Sequence, residues 1–122
     1  MRGATVTAAA LLAAMLFFSS PARAASFDCA RAHAADEVAV CHNPQLSALD
    51  SEMGGLWYAY SRVPMLMGGN GARRDAAQAF LVRRAACGRN VACLIAAYRA
   101  RIEELHGDIQ NAMQGFQRYV SG

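Results

Sequence analysis

The stretch ACGRNVAC, residues 86–93, decides how the rest of the chain is read. Cys87 and Cys93 stand six positions apart, with Gly88 directly after the first and Asn90 three residues before the second. Upstream, Ala76, Ala77, Phe80, Leu81, Arg84 and Cys87 recur at helical spacing, so a helix runs into Cys87. Gly88 suits the C-terminal cap, where left-handed backbone is needed and a Cβ is unwelcome. Asn90 suits the next N-cap, because its side-chain oxygen can accept from the N–H groups of the following turn. Downstream, Val91, Leu94, Ile95, Tyr98, Ile102, Leu105 and Ile109 form one apolar stripe, and Met113, Phe116 and Val120 can extend it past Gly107 and Gly115. The stretch is therefore a helix–turn–helix corner with a cysteine on each side of the turn.

Working back toward the N-terminus, Asp28 can cap a helix that begins near Cys29, with Ala30, Ala34, Val38 and Cys41 on one face. Asn43-Pro44 stops it, since the residue before proline is pushed out of helical backbone. Leu46, Leu49, Met53, Leu56, Tyr60 and Val63 then mark a second amphipathic helix. Gly54-Gly55 lies inside it, at about 1 kcal/mol per glycine relative to alanine, and either kinks the helix or admits a close backbone neighbour. Pro64 ends it, and PMLMGGNGA (64–72) is expected to be a loop. No run alternates as a strand would. The expected fold is all-α, a small bundle of three to four helices stapled by two disulfides.

The first 24 residues read as a secretory leader: Arg2, an apolar run from Ala8 to Phe18, then Ala22-Arg23-Ala24 as a cleavage motif. The run is shorter than the roughly 20 residues of a membrane span. Residues 25–122 then form a single domain containing Cys29, Cys41, Cys87 and Cys93. An even cysteine count in a small exported domain points to disulfides, and to a periplasmic or secreted location. Local pairing, Cys29–Cys41 and Cys87–Cys93, would clamp each end of the first helix and the corner. Twelve positions of straight helix span ~18 Å, so Cys29–Cys41 requires the chain to bend back. The crossed pairings are open at this stage.

Chemistry of other kinds finds little footing. A redox pair is usually C-x-x-C, and five residues separate Cys87 from Cys93. Cys29, His33, Cys41 and His42 match no common zinc spacing. GGNG (68–71) lacks the strand, Lys and Ser/Thr of a phosphate loop. Glu103 and Glu104 are adjacent and diverge by about 100° around a helix, so they cannot work as an acid–base pair. His33, His42 and His106 stand singly. The domain is expected to be non-enzymatic, without metal or cofactor.

Charge is uneven along the chain. All twelve basic residues are Arg. Residues 25–60 carry five carboxylates against Arg31, a net −4, whereas residues 61–122 carry nine Arg against four carboxylates, a net +5. The overall charge is too small for a nucleic-acid binder.

Phe27-Asp28-Cys29, Cys41 before Pro44, Leu46, Leu49-Asp50, then Arg84, Ala86-Cys87-Gly88, Cys93-Leu94, Tyr98, Arg101-Ile102 and Leu105 resemble the LprI-type lysozyme-inhibitor domain family. The match covers about residues 26–106. The chain departs from the family pattern at Gly54-Gly55 and across residues 64–74, and it lacks the lipidation cysteine of the lipid-anchored inhibitor. The resemblance implies an exported helical domain with paired cysteines that binds lysozyme, a muramidase of the host.

Animal lysozymes are basic, so an acidic face would steer the encounter. Asp36, Glu37, Asp50 and Glu52 are the candidates for that face, with Trp57 and Tyr58 as apolar anchors. The expected role is thus occlusion of a protein partner, with a basic lysozyme as the named candidate. The alternative is a structural or assembly factor that holds another envelope protein through the Met65-Leu66-Met67 segment and the basic C-terminal helices.

Overall fold

The computed structural model describes residues 25–122. The expected leader, residues 1–24, lies outside the described residues. After a 3-10 turn at Cys29–Arg31 come α1 (Ala35–His42), α2 (Pro44–Ser61), α3 (Met67–Cys87) and α4 (Val91–Ser121). Helices α2, α3 and α4 run up, down and up. Helix α4 lies between the other two and pairs most extensively with α2. Helix α1 crosses the end where α2 begins and α3 turns into α4, touching both α2 and α3. The core is Val40, Leu46, Phe80, Leu94 and Tyr98, with Phe80 and Tyr98 edge-to-face at 5.2 Å between ring centroids.

The corner at residues 86–93 forms as the sequence expects. Gly88 has φ +55°, Asn90 Oδ1 accepts from the Cys93 N–H at 3.0 Å, and Cys87 and Cys93 form a disulfide with Cα atoms 5.6 Å apart. The other bridge is Cys29–Cys41, at 5.8 Å between Cα atoms. The helix expected to start near Cys29 divides instead. Asp28 caps only the 3-10 turn, through the Ala30 N–H at 3.0 Å, and residues 32–34 leave helical geometry before α1 begins. That break is the bend the bridge requires. Asn43 then separates α1 from α2, and its side chain accepts from the N–H groups of Gln45 and Leu46.

Two glycine segments behave differently from their propensities. Helix α2 passes through Gly54-Gly55 unbroken. A Cβ on Gly54 would lie 2.8 Å from the Ser26 Cβ, whereas one on Gly55 would meet nothing within 4 Å. Gly54 therefore admits the N-terminal lead-in against the helix. Residues 67–72, expected as loop, form the first turns of α3. Arg73 supplies the reason. Its guanidinium donates to the carbonyls of Tyr60 (2.6 Å) and Val63 (3.1 Å) and to Asn70 Oδ1, and Asn70 Nδ2 donates to the Met65 carbonyl at 3.0 Å. These bonds satisfy the orphan carbonyls at the end of α2 and hold the glycine-rich turns in register.

Candidate functional site

The four carboxylates expected to form an acidic face separate into two groups. Asp36 and Asp50 are interior, 3% and 0% exposed. Asp36 Oδ2 accepts from Arg84 Nε at 2.7 Å. Arg84 Nη1 also reaches the Tyr98 hydroxyl at 3.5 Å, which donates to Asp50 Oδ1 at 2.8 Å. The other Asp50 oxygen accepts from the Ser26 N–H at 2.5 Å. One polar chain thus links α1, α3, α4, α2 and the lead-in. Burial, and then the neighbouring Asp50 carboxylate, push the Tyr98 phenol well above its ordinary range. Burial alone would lower Arg84, but Tyr98 and Asp36 more than reverse it. Neither aspartate is available to a partner, so the acidic face is smaller than its count of carboxylates suggests.

Glu37 and Glu52 remain toward solvent. Glu37 is committed to the start of α1: its carboxylate accepts from the backbone N–H groups of His33 and Ala34 and lies 3.8 Å from Arg84. Trp57 is half-buried between α2 and α3, edge-on to the buried Tyr60 at 6.5 Å. Tyr58 is 60% exposed, with the Arg62 guanidinium stacked 3.4 Å over its ring. The structure does not join Glu37, Glu52 and Tyr58 into one patch; Glu52 and Tyr58 are about 120° apart around α2.

The end of the bundle opposite α1 has the larger unpartnered surface. Leu66 (88%), Met67 (90%) and Tyr119 (86%) are almost fully exposed, and Met113, Phe116 and Val120 are at least half so. Of these, Leu66, Phe116 and Tyr119 come together because α4 continues beyond α2 and runs past the turn between α2 and α3. Pro64, Met65 and Leu66 face Ala112, Phe116 and Tyr119 across an open groove of about 640 Å³. Arg62, Arg74 and Arg118 are exposed near these segments in sequence. The signal for this end was present in the apolar stripe of α4, but its pairing with Met65-Leu66-Met67 depends on how far α4 extends.

All four cysteines are bridged, so the Cys29, His33, Cys41, His42 set offers no thiolate. Among the described residues no three His, Cys, Asp or Glu side chains are disposed to hold a metal ion. No described helix is long and apolar enough to cross a membrane. The two disulfides are compatible with an oxidising compartment. No protein-family model, curated protein or solved structure matches the chain.

Proposed function

We propose that this chain is an exported, non-enzymatic binding domain that docks an envelope protein through its apolar end. The observation that supports it is the groove between residues 64–66 and 112–119, with Leu66 and Tyr119 almost fully exposed on its two sides. Exposed apolar area of this kind, concentrated at one place with Arg62, Arg74 and Arg118 close by in sequence, is characteristic of an interaction surface. A groove favours an inserted side chain over a flat bilayer. The arginines favour a partner with an acidic rim, which makes this the assembly-factor reading of the chain.

Lysozyme inhibition is a second reading, favoured by the family resemblance. It would rest on Glu37, Glu52 and Tyr58, since Asp36 and Asp50 are interior. A photo-crosslinking side chain placed at Leu66, Tyr119, Glu52 or Glu37 in an exporting cell separates the two. Adducts to one protein from Leu66 and Tyr119 alone are the expected result. Adducts from Glu52 and Glu37, together with dose-dependent inhibition of a basic lysozyme, would replace the first reading with the second.

A further inference from the structure

A second concavity lies in the middle of the bundle, away from the apolar end. Met53 and Trp57 of α2, Ala77, Phe80 and Leu81 of α3, and Leu105 of α4 wall a groove of about 140 Å³. Arg101 also lines it and is 2% exposed. Its Nη1 donates to Glu104 Oε2 at 3.1 Å, but its Nη2 is buried with no hydrogen-bond partner among the described residues. The other buried guanidinium, Arg84, is paired with Asp36. A buried donor of a charged group left without an acceptor is unfavourable by the desolvation of that donor, and the side chain that carries it lines the groove.

We infer that this groove binds a compact organic carboxylate, whose apolar body fills the space between α2 and α3 and whose oxygens accept from Arg101 Nη2. Charge favours an anion over a neutral acceptor. Arg83 and Arg101 share the Glu104 carboxylate, so that carboxylate alone does not balance both. The walls are otherwise apolar, which disfavours phosphates and sugars. The volume is close to the roughly 150 Å³ that accommodates one benzene ring, so the body is a single ring or a short branched chain. The carboxylate can belong to a free acid or to the terminus of a peptide ending in an apolar residue.

Trp57 is the chain's single tryptophan and forms one wall, so its emission reports occupancy. The purified oxidised protein would be titrated with benzoate, with benzyl alcohol as the neutral analogue, and with N-acetyl-Ala-Phe as acid and as amide. We expect a saturable response to an acid, at least about ten-fold weaker for its neutral counterpart. The response should disappear in Arg101→Met, and in Ala77→Leu, which fills the groove while keeping the arginine; circular dichroism identifies a variant that fails to fold. Saturation by the peptide acid but not by benzoate assigns the source to a chain terminus. Equal responses to acid and neutral analogue, an undiminished response in folded Ala77→Leu, or no saturation by either acid up to ~20 mM would overturn the site.

Discussion

At the disulfide-clamped end, Asp36, Arg84 and Asp50 are turned inward, each with a partner. At the opposite end, Leu66, Met67 and Tyr119 are turned outward and almost fully exposed. The first arrangement is what a structural core of buried ions requires, since each charge must meet another group to be tolerated. The second contributes little to the stability of the isolated domain. Substitutions at the two ends should therefore separate stability from binding.

The sharpest way to break the comparison is Arg84→Met. It strands Asp36 in the interior, and we expect a loss of about 3–5 kcal/mol in urea denaturation; a loss below about 1 kcal/mol would mean that the network is not holding the end together. Next, replacing Cys87 and Cys93 with serine opens the corner. The loop-entropy relation gives about 2.4 kcal/mol for this bridge and about 2.9 for Cys29–Cys41, readable as the difference in denaturation midpoint between oxidised wild type and variant.

Alkali probes the same end without mutation. The native Tyr98 phenol is raised by burial and by Asp50, whereas in the unfolded chain it ionises near about 10. Above that pH the unfolded state has released a proton that the native state retains. Stability is therefore complete below about pH 10 and falls above it, at a slope approaching 1.4 kcal/mol per pH unit for this group. Tyr98→Phe should flatten the profile measured from pH 8 to 11, leaving the smaller dependence of Tyr60, which burial and Asp108 also raise.

Adjacent glycines give a finer contrast. Gly54→Ala forces its Cβ against Ser26 and should destabilise by about 1–2 kcal/mol, while Gly55→Ala, with open space, should stabilise by about 0.5–1 kcal/mol through helix propensity. The smallest effect on stability belongs to the apolar end. Leu66→Asp and Tyr119→Ser should leave the thermal midpoint within the equivalent of about 0.5 kcal/mol while abolishing partner adducts; a large fall in stability would instead make that end part of the core.

Asp36 and Asp50 lie in the interior because burial is decided by helix face and not by the net charge of a segment. Leu46, Asp50, Met53 and Trp57 follow at spacings of four, three and four, and so do Leu94, Tyr98, Arg101 and Leu105. A charged residue standing in such a stripe is carried inward with it. Read this way, Asp50 and Arg101 are interior positions, and Arg101 is a candidate site that segment charge does not reveal.

The sequence by itself determined the all-α class, the corner at residues 86–93 with Gly88 and Asn90 as caps, and the stop at Asn43-Pro44. These rest on local backbone chemistry, which neighbouring residues settle. Only the tertiary structure decided the disulfide pairing, the helical start of α3, the reason for Gly54 and the fate of each carboxylate. Each of those depends on a group distant in sequence: Cys41 on Cys29, Gly54 on Ser26, residues 67–72 on the Arg73 bonds to α2, and Asp36 on an arginine 48 positions away.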